Sequence, residues 1–155
     1  MRVVKPPHAP QMEVRVFLAG SIEMGAAEDW QTKVQDALSD IDCVILNPRR
    51  DDWDSSWAQD ISDLNFTTQV NWELGMLDAS DVIFMYFDPA TKSPISLLEL
   101  GLYANSNKLI VCCPEGFWRR GNVQIVCSKF DVPLYSRLDY AIDDLVSLLQ
   151  IKIVK

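Results

Sequence analysis

The chain has 155 residues, 48% of them hydrophobic, which is enough for one domain with a proper core and too short for two of typical size. Its 22 acidic side chains outnumber 14 basic ones, for a formal charge of −8, and no block of Lys or Arg is present to neutralise a run of phosphates. Nucleic acid polymers and anionic membranes are therefore not expected as partners, whereas a small nucleoside or nucleotide is compatible, since a pocket can be locally positive or use backbone amides.

Residues 1–13 read as a flexible tail, rich in proline around Lys5-Pro6-Pro7-His8-Ala9-Pro10. His8 is the single histidine, so a Ser-His or Cys-His pair would need that tail to supply its base. Residues 14–19 form a short strand ended by Gly20-Ser21. Residues 27–39 have helical spacing, with Trp30, Val34, Ala37 and Leu38 on one side. A second strand, 43–46, stops at Asn47-Pro48. A polar loop bearing tryptophans follows from residue 49 to 56, then helical segments to about residue 79.

Residues 81–87 are an apolar strand without alternation, as expected when both sheet faces are covered. A helix over 93–104 comes next, then a strand over 109–113 ended by Pro114. The remainder reads as a helix at 123–129, a short strand at 132–135 and a last helix at 138–149. Strands alternating with helices predict a parallel five-stranded sheet with right-handed crossovers, a three-layer α/β/α sandwich of flavodoxin-like or Rossmann-like kind over residues 14–155. Ligands of such sheets lie outside the carboxyl ends of the strands, where strand order reverses. One crevice should thus gather Gly20-Ser21, residues 47–57 and residues 88–99.

Several chemistries are disfavoured. There is no Walker A sequence, and Gly20 to Gly25 lacks the third glycine of a dinucleotide fingerprint. Cys43, Cys112, Cys113 and Cys127 form no CxxC and have no histidine beside them, so neither a metal nor another cofactor is expected. Cys43, Cys112 and Cys113 read as small apolar core residues, and free thiols suit a reducing cytoplasm. No leader-like segment or membrane-length apolar run is seen, and the expectation is a soluble cytoplasmic protein.

The helix Ser93-Pro94-Ile95-Ser96-Leu97-Leu98-Glu99-Leu100-Gly101-Leu102-Tyr103-Ala104 carries the sharpest signal. Ser93 suits an N-cap and Pro94 the first helical position, because proline has no N–H to lose there. In that register Ile95, Leu102 and Tyr103 share a face with Glu99. A carboxylate on an apolar face must be paired, hydrogen-bonded or protonated, and such placement is typical of sites; the plain alternative is an edge glutamate reaching solvent. Gly101, costly inside a helix, fits a place where something approaches the backbone. Glu73 repeats the pattern, with Val70, Met76 and Leu77 as helical neighbours, and is either a second site carboxylate or half of an ion pair. Two carboxylates at one crevice suit glycosidic-bond cleavage.

The layout Phe17-Leu18-Ala19-Gly20-Ser21, Asn47-Pro48-Arg49, Asp81-Val82-Ile83, Asp88-Pro89 and Ser93 to Gly101 resembles the nucleoside 2-deoxyribosyltransferases, most closely their short 2-deoxyribosyltransferase-like branch. The resemblance spans about residues 14–126. It implies that Glu99 is a nucleophile forming a covalent deoxyribosyl-enzyme, that Glu73 contacts and protonates the leaving base, and that Asn122 is lent to a neighbouring subunit's site. A homo-oligomer, dimer or larger, follows from the last point. Deoxynucleosides and nucleobases become the expected small-molecule partners. Gly20 and Ser21 would line the sugar pocket, with Asp88 beside them in the crevice. Arg49, Asp52, Trp53 and Trp57 would belong to a loop covering the base, or form an ordinary hydrophobic lid or subunit contact.

Ser93 stands where the better-known transferases carry an acid, and a serine at that offset resembles the phosphate-holding residue of 2′-deoxynucleoside 5′-monophosphate N-glycosidases. It is equally an ordinary N-cap. The family's first-strand tyrosine has no counterpart, leaving Tyr86 or Tyr103 as substitutes. Deoxyribosyl transfer is the first functional expectation, N-glycoside hydrolysis the second, and a non-catalytic nucleotide-binding module the third.

Overall fold

A computed structural model gives the fold and describes residues 1–8, 13–22, 27–50 and 54–154. In chain order the elements are β1 (Arg2–Val4), β2 (Arg15–Gly20), α1 (Trp30–Ala37), β3 (Val44–Leu46), α2 (Leu64–Ala79) and β4 (Val82–Tyr86). They continue as α3 (Pro94–Tyr103), β5 (Leu109–Cys112), α4 (Arg120–Lys129), β6 (Leu134–Tyr135) and α5 (Leu138–Ile153). All strand pairings are parallel, in the order β1-β3-β2-β4-β5-β6. The expected α/β sandwich is present.

The sheet has six strands, not five, because part of the expected tail is structured. Arg2–Val4 pairs along the free edge of β3, with the Arg2 amide donating to Cys43 O at 3.0 Å and the Asn47 amide to Val4 O at 2.9 Å. A run this short before Pro6-Pro7 offers no periodicity to read, yet an open parallel edge gains its backbone hydrogen bonds by accepting it. Residues 9–12 lie outside the described part.

Each sheet face has its own core. Leu77, Leu100, Ala104, Val123 and Cys127 bring α2, α3 and α4 onto Phe17, Met85 and Val111, while Trp30, Val34, Leu145 and Leu149 bring α1 and α5 onto Leu18, Phe84 and Ile110. All five residues of β4 are buried, which explains their unbroken apolar run. The four cysteines are buried and unbridged, and burial pushes the thiols of Cys112 up to about 12 and of Cys113 and Cys127 to about 11, so they serve as apolar packing. Among the described residues no helix is long and apolar enough to cross a membrane, and no group of three His, Cys, Asp or Glu is arranged to hold a metal.

After β2 the chain crosses to β3 on one side and later returns to β4 on the other, so strand order reverses at β2. Gly20 is fixed at this point by backbone crowding. Its φ is +134°, and a Cβ there would lie 2.2 Å from Tyr86 O. Only glycine lets β2 approach β4 this closely.

Candidate active site

Beyond Gly20 the chain enters a cluster of buried hydroxyls. Ser21 Oγ lies 2.9 Å from Thr91 Oγ1 and 2.6 Å from Ser93 Oγ, and Thr91 and Ser93 are 2.7 Å apart. Ser21 Oγ also accepts the Asp88 amide at 2.8 Å, and its carbonyl accepts Trp30 Nε1 at 2.9 Å. Asp88 in turn uses its carboxylate on backbone, accepting the amides of Glu28 (2.7 Å) and Ala90 (2.8 Å). Of the residues expected in the crevice, Gly20, Ser21, Asp88 and Ser93 are therefore brought together. Thr91 belongs with them.

Ser93 does not cap α3 as expected. It occupies the N-cap position with a left-handed backbone, φ 45° and ψ 53°, and makes no side-chain cap bond. That conformation, unusual for a residue with a Cβ, goes with a hydroxyl turned onto Ser21 and Thr91 and away from the helix amides. Pro94 does hold the first helical position.

The buried side of α3 also departs from expectation. Ser96, Glu99 and Leu100 face inward, whereas Ile95 and Leu102 are each 58% exposed. At about 100° per residue, Ser96 and Tyr103 lie to one side of Glu99 and Ile95 and Leu102 to the other, and the sheet lies on the first side. Gly101 is exposed, and a Cβ there would touch nothing within 4 Å among the described residues, so none of them approaches it.

Glu99 is 9% exposed and makes no hydrogen bond to a described residue. Burial, reinforced by the nearby charge of Glu73, pushes its pKa up to about 8. Glu73, on α2, is raised by burial as well, but accepts Gln69 Nε2 at 2.8 Å, a bond that pulls it back toward the ionised form. Its described partner is thus an amide on its own helix and not a base on another. Gln69, 3% exposed, also donates to Pro48 O at 3.1 Å, and its Oε1 accepts Arg50 Nη1 at 3.4 Å. Sequence reasoning missed Gln69 and Arg50, although Gln69 stands one turn before Glu73, within reach for such a pair.

Neither candidate tyrosine bonds to Glu99. Tyr86 Oη donates to Glu28 Oε1 at 2.7 Å and Tyr103 Oη to Asp78 Oδ1 at 2.6 Å. The charge of Glu99 still reaches Tyr103, one of several causes, after burial, that push its phenol up to about 12.

The remaining expected residues spread out. Arg49 is exposed and stands with Asp29 and Gln31 of the α1 side, on the face of the sheet opposite α3. Trp57 packs beneath the Arg50 guanidinium at 5.2 Å from its ring centre. Asn122 is exposed on α4, and Asp52 and Trp53 lie outside the described residues.

A doubly wound parallel sheet, a buried Glu99 that feels the charge of half-buried Glu73, and a hydroxyl-lined helix start meet near the reversal of strand order, where sheets of this kind hold small ligands. The chain belongs to the nucleoside 2-deoxyribosyltransferase-like family, whose model matches residues 13–117. Curated proteins contain no significant match to it.

Proposed function

We propose that the chain transfers 2-deoxyribose between nucleobases through a covalent deoxyribosyl ester on Glu99. The observation that carries this reading is Glu99 itself: a buried carboxyl without a hydrogen bond to a described residue, within reach of the charge of Glu73 and raised to about 8. Two interacting carboxyls of this kind hold one proton between them over a wide pH range, and the proton belongs to the pair. The Gln69 bond favours the ionised form of Glu73 and opposes the burial that raises it.

Catalysis asks for ionised Glu99 with the shared proton on Glu73, reached when substrate fills the crevice. Glu99 then attacks C1′, its C1′–O bond forming as the C1′–N bond breaks. Glu73 gives the shared proton to the departing base nitrogen. The products are neutral base, Glu99 ester and ionised Glu73, and a second base reverses the steps with net retention. Ser21 and Gly20 line the sugar side, with Asp88 and Ser93 at the start of α3. Asp52, Trp53 and Trp57 are assigned to the base on the family resemblance. Asn122 of a second copy completes the site, so the active form is a homo-oligomer in the cytoplasm.

A second reading, hydrolysis of 2′-deoxynucleoside 5′-monophosphates, is favoured by one feature. The first turn of α3 has no side-chain cap and begins beside the Ser21, Thr91 and Ser93 hydroxyls, a setting suited to a phosphate.

Chromatography of reactions of deoxyinosine or thymidine, with and without adenine and beside the monophosphates, separates these readings. Deoxyadenosine formed only with adenine, and only with Glu99 intact, establishes transfer. Free base regardless of acceptor gives hydrolysis, and turnover of monophosphates alone makes Ser93 a phosphate ligand. No turnover under any condition overturns both in favour of a binding module. Full activity from a monomer by light scattering removes Asn122.

A further inference from the structure

Gln69 ties the end of β3 to the acid beside Glu99. It is 3% exposed and stands one turn before Glu73 on α2. Its Nε2 carries two hydrogens, and two acceptors lie against it: Pro48 O at 3.1 Å, just past β3, and Glu73 Oε1 at 2.8 Å. On the other side of the amide, Gln69 Oε1 accepts Arg50 Nη1 at 3.4 Å, and the Arg50 guanidinium lies over the Trp57 ring.

These contacts fix which way the amide points. A backbone carbonyl can only accept, so the group facing Pro48 O must be the NH2. Turned over, the amide would set its own oxygen against that carbonyl and against the Glu73 carboxylate. The cation at Oε1 favours the same orientation and polarises the amide toward stronger donation. To Glu73, then, Gln69 offers hydrogens only. The carbonyl oxygen of a carboxylic acid accepts better than its hydroxyl oxygen, so with Oε1 held as the acceptor a protonated Glu73 carries its hydrogen on Oε2. The bond also restricts rotation of the half-buried Glu73 side chain, and it lowers the Glu73 pKa against the burial that raises it.

We infer that Gln69 is a positioning residue for the proposed transfer: anchored on Pro48 O, it holds Glu73 Oε1 and so aims Oε2 as the oxygen that gives the proton to the leaving base. The role rests on the deoxyribosyl-transfer reading, since it is defined by the proton that Glu73 delivers. Misplacing a reacting group by about 1 Å can cost about a hundredfold in rate, so an acid left to rotate should be felt in turnover.

Gln69→Leu removes both hydrogens at similar volume. In the full chain labelled with carbon-13 at glutamate, the Glu73 carboxyl resonance is identified by its loss in Glu73→Gln. It should titrate about half a pH unit or more higher in Gln69→Leu than in wild type. With deoxyinosine the variant should lose at least about tenfold in kcat, with KM within about threefold. A 2-deoxyriboside with a 4-nitrophenolate leaving group, which departs without a proton, should react within about twofold of the wild-type rate. Gln69→Asn, whose amide is one methylene too short to reach both acceptors, should give the same pattern and serves if Gln69→Leu does not fold. Equal slowing of both substrates in a folded variant, or an unmoved Glu73 titration, overturns the role while the transfer reading stands. Wild type that turns over neither substrate overturns the transfer reading and this role with it.

Discussion

Glu28, just before α1, and Glu99, on α3, lie on opposite sides of the same sheet and are treated in opposite ways. Glu28 Oε2 accepts Lys33 Nζ at 2.5 Å and Oε1 accepts Tyr86 Oη at 2.7 Å, and these bonds hold its pKa below the ordinary carboxylate value. Its amide is tied to Asp88 as well. Glu99 has none of this and is deeper. A carboxylate that fastens a loop is given partners; one left bare beside a second acid is destabilised in its charged form and holds that free energy for chemistry. The charge of the neighbouring Glu73 is why our proposal gives Glu99 the second description.

Activity gives the widest separation of the two carboxylates. Glu99→Ala should lower deoxyribosyl transfer at least about a thousandfold, because the group that bonds to C1′ is gone, whereas Glu28→Gln should cost about tenfold or less. Steady-state rates of both variants against wild type decide it. Equal losses would mean that Glu99 is a structural acid like Glu28.

Next in size is the seam from which both corners hang. Gly20→Ala would place a methyl 2.2 Å from Tyr86 O, at a φ that alanine adopts only under strain. Separating β2 from β4 there displaces Tyr86, which holds Glu28, and Ser21, which holds the start of α3. A loss of about 3 kcal/mol is expected by denaturant unfolding. A loss under about 1 kcal/mol would show that the seam gives way easily.

The pH dependence of stability should also differ in sign between the two acids. Glu99 has a folded pKa of about 8 against 4.5 as reference, so between those values the folded chain keeps a proton that the unfolded chain has released. Raising the pH through that window lowers stability, and Glu99→Gln should be more stable than wild type above pH 8, by on the order of 2–4 kcal/mol. Glu28, with its lowered pKa, stabilises above its reference value of 4.5, and that contribution is lost on acidification. Melting temperatures of Glu99→Gln and Glu28→Gln across pH 4–9 test both signs. Parallel curves for Glu99→Gln and wild type would show that Glu99 is not held in a raised state.

How much of this was legible depends on the range of the interaction. Pro94 fixed the start of α3, and the apolar runs marked β2, β3, β4 and β5, since local rules decide those. The buried side of α3 was not legible, because Ile95, Leu97, Leu98, Leu100 and Leu102 make the helix apolar on almost every side. The Ser21–Thr91–Ser93 cluster joins positions about seventy apart and leaves no trace in spacing. Ser93 satisfied every local rule for a cap, and a tertiary contact overrode it. Glu73 beside Glu99 was inferred from pattern, while the role of Gln69 needed the packed geometry.

The smallest expected effect sharpens the comparison most, because it asks what the Glu99 side leaves open. Gly101 is in the last turn of α3, exposed, with no described residue where a side chain would begin. If only the isolated fold mattered, Gly101→Ala would stabilise the chain by about 1 kcal/mol through helix propensity and lost unfolded-state entropy. That gain is expected in thermal unfolding. A concurrent fall in oligomer mass or activity would mean that another molecule closes against α3 at Gly101, near the exposed Leu98 and Leu102. Unchanged mass and turnover would leave the glycine without a role in assembly, and would place any subunit contact on a different face.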